Sequence, residues 1–133
     1  MDIHHLAFRT DQVEELERFY RDVVGLEAPP GAPHAEDRVW LRAGATWVMI
    51  ERRTESEPVL PRRSMDLVAF AIRSIEKEAF LEKLLCVGVA VEQETDFTVY
   101  FRDPDGRRVG VSRYPEPPQS QAALSPPASP PRT

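Results

Sequence analysis

The chain is poor in several things, and each scarcity narrows its nature. It holds one cysteine, Cys86, so no intrachain disulfide can form, and a reducing compartment is the natural expectation. No stretch approaches the ~20 apolar residues of a membrane-spanning helix. The first residues lack a basic segment followed by an apolar core. Cytoplasmic location and no membrane partner are therefore expected. Positive charge is not in excess: the formal net charge is -5 over 133 residues, which disfavours a nonspecific nucleic-acid surface. No phosphate-loop pattern, Cys-x-x-Cys pair, Ser/His/Asp signature or dinucleotide-binding glycine fingerprint occurs.

Prolines are plentiful, but unevenly spread. Seven of the thirteen lie between Pro115 and Thr133, a segment without apolar periodicity. Proline removes backbone donors and fixes φ, so 115–133 is expected to be a disordered tail, with its Pro-Pro pairs as a conceivable peptide ligand. What precedes it has ordinary globular chemistry, within a composition of 41% apolar and 29% charged residues, and is long enough for one compact domain.

Along that domain, Ile3 to Arg9 predicts a strand. Asp11 and Glu14 have capping-box spacing, with Thr10 as the other candidate cap, and Val13, Leu16, Phe19, Tyr20 and Val23 recur at helical spacing before the stop at Gly25. Pro29, Pro30, Gly31 and Pro33 predict a loop carrying His34. Arg38 to Arg42 and Thr46 to Arg52 predict two strands about the turn at Ala43-Gly44, and Glu55 to Ser64 a linker. The order then repeats. Met65 to Ile72 predicts a strand. Ser74 predicts a cap for a helix carrying Ile75, Ala79, Leu81, Leu84 and Leu85, and Gly88 ends it. Strands follow at Val89 to Val91, Phe97 to Phe101 and Arg107 to Tyr114, the last two joined by the turn Asp103-Pro104-Asp105-Gly106. HLAF (5–8) matches LVAF (67–70), and DVVGLE (22–27) matches LLCVGVA (84–90) with one residue inserted, which points to an internal repeat.

With HLAFRT-DQVEELERFYRDVVGLE at one end and YFRDPDGRRVGVSRY at the other, the chain resembles the vicinal oxygen chelate superfamily of glyoxalases, bleomycin-resistance proteins and extradiol dioxygenases. The resemblance implies an α+β fold: two tandem βαβββ modules forming a curved mixed sheet around a pocket. It places module one at about 1–54, the linker at about 55–64 and module two at about 65–114, all in one domain spanning 1–114. It also implies a homodimer, and four strand positions that hold a divalent Lewis acid in the metal-dependent members.

Those four positions fall on His5, Met49, Leu67 and Gly110, with Glu51 reachable by a small register shift. Alternation sends His5, Ala7 and Arg9 to one face of the first strand and Leu6 and Phe8 to the other, with His4 pointing away from the pocket. Leucine and glycine cannot ligate, and thioethers suit hard cations poorly. The expectation is therefore a small-molecule binder without the usual metal or other cofactor, with a pocket of His5, Arg9, Trp47, Met49, Glu51, Leu67, Gly110 and Ser112 beside Ala7 and Ala69. Trp47 and Met49 would meet an aromatic ligand, Arg9 a carboxylate. Two alternatives stand beside it. One is a metal-dependent lyase, isomerase or dioxygenase using His5 and Glu51 as ligands and catalytic groups. The other is a non-catalytic protein-interaction module. Cys86, among leucines, is expected to be a buried thiol.

Overall fold

The computed structural model describes residues 1–73 and 76–114. Ser74, Ile75 and the proline-rich tail, on which a helix cap, a core position and the disorder reading fell, lie outside the described residues. The described chain divides into two compact units. Unit 1 is Met1–Arg62 with Asp103–Gly106, and unit 2 is Arg63–Arg102 with the chain from Arg107 onward.

Unit 1 runs β1 (His5–Thr10), α1 (Val13–Arg18), a π-helical segment (Phe19–Val24), β2 (His34–Ala35), β3 (Arg38–Ala43) and β4 (Thr46–Arg52). Its sheet has the order β1-β4-β3-β2, with β1 and β4 parallel and the other pairs antiparallel. Phe8 of β1, Val39 and Leu41 of β3 and Val48 and Ile50 of β4 are buried with Val13, Leu16, Phe19 and Tyr20 of the helix. Each such side chain contributes about 1.5–3 kcal/mol by leaving water. The Asp11–Glu14 capping box does not form. Gln12 is the N-cap residue without a side-chain cap, and the Thr10 hydroxyl accepts the Gln12 N–H at 3.0 Å. Asp11 is instead drawn to Arg53, at 3.1 Å, because a guanidinium at the end of the neighbouring strand outcompetes the helix N–H groups for its carboxylate. Gly25, at φ 94°, ends the helical run as expected; its N–H and that of Leu26 both reach the Tyr20 carbonyl.

The Asp103–Gly106 turn also belongs to this unit. The Tyr20 hydroxyl donates to Asp103 Oδ2 at 2.7 Å, and Gln12 Nε2 donates to Asp105 Oδ1 at 2.7 Å. Asp103 Oδ1 meanwhile accepts the Asp105 N–H at 2.9 Å, closing the turn.

Unit 2 repeats the scheme with β5 (Leu67–Ala71), α2 (Lys77–Val87), β6 (Val91–Glu94), β7 (Thr98–Arg102) and β8 (Arg108–Ser112), in the order β5-β8-β7-β6. The two units are thus tandem βαβββ-like modules, each carrying one mixed sheet. The helix face differs in detail from its sequence reading. Lys77, Phe80 and Leu84 are buried, whereas Leu85 is 80% exposed and Ala79 is also exposed. Cys86 is exposed, not buried, because it lies on the outward side of the helix set by Phe80 and Leu84. Val89 to Val91 was placed too early; the strand begins at Val91 because Val89 is spent on the helix C-cap, its N–H reaching the Leu84 carbonyl at 2.9 Å.

Candidate functional site

Strand register arranges the open face of the first sheet in three rows. His5, Trp47 and Arg42 pair across β1, β4 and β3; next come Ala7, Met49 and Trp40; then Arg9, Glu51 and Arg38. Alternation makes this face accessible. His5, Ala7 and Arg9 are exposed and Trp47, Met49 and Glu51 half-buried, while Phe8, Val48 and Ile50 face the helix. Trp47 and Met49 are therefore face residues, not core.

The first row is aromatic. His5 meets the Trp40 ring edge-on, with ring centroids 5.5 Å apart, and Trp40 meets Trp47 edge-on at 6.1 Å. Arg42 stands over Trp47, 5.8 Å from the ring centroid. His4 precedes β1 and is exposed, and its Nδ1 lies 3.0 Å from His5 Nδ1.

The third row is ionic. Both Arg9 and Arg38 pair with the Glu51 carboxylate, and Arg9 reaches Glu57 as well, at 3.2 Å. Glu57 is held below the usual carboxylate range, first by the Thr54 backbone N–H and then by the Thr54 side chain. A concavity of about 1330 Å³ opens here, lined by Arg9, Arg38, Trp40, Glu51, His34 and Glu57 among others. His34 is exposed, and its Nε2 lies 3.1 Å from the buried Glu17.

This register separates two residues that the sequence reading joined. Glu51 pairs with Arg9, while His5 pairs with Trp47. The two rungs are four positions, about 13 Å, apart along the strand.

The second sheet carries the corresponding rows: Leu67 with Arg108 and Arg102, Ala69 with Gly110 and Tyr100, Ala71 with Ser112 and Thr98. A Cβ built at Gly110 would stand 3.5 Å from Leu67 Cδ1, Ala69 Cβ and Thr98 Cγ2 alike. The expected carboxylate position is thus bordered by three methyl groups at ordinary van der Waals distance. Arg108 lies over Tyr100 at 4.2 Å and bonds Glu92 and Gln93, both at 3.0 Å; Ser112 and Thr98 share a 2.7 Å hydroxyl hydrogen bond. Asp66 precedes β5, is exposed, and donates its N–H to Ser64 Oγ at 3.1 Å.

Trp40, Arg38 and Glu57 escaped the sequence reading. Trp40 and Arg38 were legible, since they alternate with the apolar Val39 and Leu41. Glu57 was not, because only the folded chain brings the segment after β4 to Arg9.

A sequence profile of the Glyoxalase/Bleomycin resistance protein/Dioxygenase superfamily matches residues 2–111, and the chain belongs to that superfamily. It is 28% identical over 116 residues, covering 82% of this chain and 77% of the relative, to metallothiol transferase FosB of Shouchella clausii. Among solved structures, lactoylglutathione lyase from Agrobacterium tumefaciens aligns with a TM-score of 0.65 at 22% identity, over 83% of this chain and 91% of that one. A variant of the fosfomycin resistance protein FosX from Listeria monocytogenes, complexed with Mn(II) and 1S,2S-dihydroxypropylphosphonic acid, aligns at 0.67 and 17%, over 83% and 89%. These structural likenesses show the fold.

Proposed function

We propose that the protein binds a small organic molecule on the open face of the first sheet and acts on it as an enzyme. One observation carries the reading: His5, at the position the family resemblance gives to its first ligand, stands exposed beside the aromatic rings of Trp40 and Trp47, on the same face as the ionic row of Arg9, Glu51 and Arg38. The relatives favour a metal-dependent form of this chemistry over plain sequestration, since one is named a metallothiol transferase and another was complexed with Mn(II). A bound ion would act as a Lewis acid where negative charge develops.

Of the residues on this face, His5 alone suits such an ion. Glu51 is claimed by two guanidiniums, and Trp47, Ala7 and Met49 surround His5 without a hard donor. Among the described residues no three His, Cys, Asp or Glu side chains gather into a metal site. The described residues of each unit by itself do not fit an ion. The face's own residues support binding: Trp40, Trp47 and Met49 offer apolar contact, Arg38 donates to an anion, and the exposed His5 imidazole offers ring nitrogens for hydrogen bonding.

The capture of Glu51 by Arg9 and Arg38 favours a second reading, metal-free binding, because it withholds the carboxylate that stands in the rows of this face. Titration of tag-free protein with manganese, iron(II), nickel and zinc separates the two. One equivalent at micromolar affinity, lost in His5→Ala, supports the metal-dependent enzyme. No specific binding leaves the metal-free one. A cytoplasmic location and a homodimer complete the proposal, tested by fractionation and by sedimentation.

A further inference from the structure

We propose that this face selects ligands with an anionic head, a carboxylate or phosphate, on a flat apolar body, with Arg38 anchoring the head and Trp40 supporting the body. The proposal rests on the reading of this face as the ligand seat and names the class of molecule that seat takes. The chain itself marks the anion position, for it already places a carboxylate, that of Glu51, against both Arg9 and Arg38.

Arg38 has capacity left for a second anion. It engages Glu51 through Nε and Nη2, Nη1 has no hydrogen-bond partner among the described residues, and the side chain is 57% exposed. A guanidinium fork with an open edge is the donor geometry that carboxylates and phosphates bind best. The concavity's lining balances four arginines, at 9, 38, 52 and 53, against four carboxylates, at 37, 51, 55 and 57. Attraction from a distance is therefore weak, and recognition comes from directed donors.

The body's place follows from the neighbouring row. Ala7, Met49 and Trp40 carry no charge, and Ala7 is small. Trp40 lines the same concavity as Arg38, and its edge contacts with Trp47 and His5 restrict the ring, so little side-chain entropy is lost when a ligand packs on it. Adjacent rows on one face are two residues, about 7 Å, apart. That spacing suits an anion attached one or two bonds from an aromatic ring.

The test is calorimetric titration with 2-naphthoate, 2-naphthyl phosphate and uncharged 2-naphthamide. At least one anion is expected to bind about tenfold more tightly than the amide, the weight of one charge-assisted hydrogen bond. Arg38→Gln should erase that preference and leave amide binding unchanged. Trp40→Ala should weaken all three, and Glu51→Gln should strengthen the anions. A preference for one anion over the other supports the proposal and names the head group. Equal binding of all three, no binding of any, or a preference that survives Arg38→Gln overturns it. Manganese titration at His5 is a separate readout, so loss of the metal signal with the anion preference intact overturns the metal-dependent enzyme alone.

Discussion

The carboxylate of Glu51 and the imidazole of His5 share one face of one sheet, yet the pairing of Glu51 with Arg9 and of His5 with Trp47 holds them two rows apart. Metal affinity should therefore depend on His5 and not on Glu51. Whatever manganese affinity titration finds should fall strongly in His5→Ala, less in His4→Ala and not at all in Glu51→Gln. The facing of His5 was readable from alternation, whereas its distance from Glu51 depended on pairing between strands. Tyr20 shows the same limit. Helical spacing placed it in the core, and it is fully buried, but nothing local announced that its hydroxyl would reach Asp103, 83 positions later. Tyr20→Phe leaves a buried carboxylate oxygen short of a donor, so denaturant unfolding should show a loss of about 1–3 kcal/mol.

Helix α2 gives a test at the scale of an element. Leu84 and Leu85 are chemically the same and adjacent, but Leu84 is fully buried and Leu85 is 80% exposed. Leu84→Ala should cost about 2–5 kcal/mol and Leu85→Ala less than about 0.5 kcal/mol in chemical denaturation. The sequence showed a helix here and its glycine stop. It did not show which side faced the sheet, because apolar residues occur around the cylinder and burial of Phe80 with Leu84 decides the matter. At the other edge of the same sheet, hydrogen bonds from Arg102 and then Arg108 hold the Glu92 carboxyl below its ordinary range. A lowered folded value means stability present above the unfolded value, about 4.3, and lost as pH falls through the folded one. Glu92→Gln should therefore lower the thermal midpoint at pH 7, and its gap from the native protein should close on acidification through the carboxylate range.

For the whole molecule, the repeat is the feature that sequence and structure share most fully. HLAF and LVAF open the two sheets, and the match of Met49 to Gly110 recurs in the pairings, Ala7 with Met49 and Ala69 with Gly110. Both sheets follow one order of strands. Truncation after Tyr114 is expected to leave the thermal midpoint unchanged in a melting scan; a fall of several degrees would show that 115–133 packs. The sequence by itself determined the two βαβββ-like modules and the side of β1 on which His5 stands. These follow from periodicity, turn chemistry and side-chain identity, which act within a few residues. Tertiary structure alone decided that Glu51 belongs to Arg9 and Arg38, that Trp40 and Arg38 complete the face, that Tyr20 meets Asp103, and that Cys86 lies outside. Each of these depends on which rung pairs with which, or which helix face is covered, and long-range packing chooses among alternatives that local sequence leaves equal in energy.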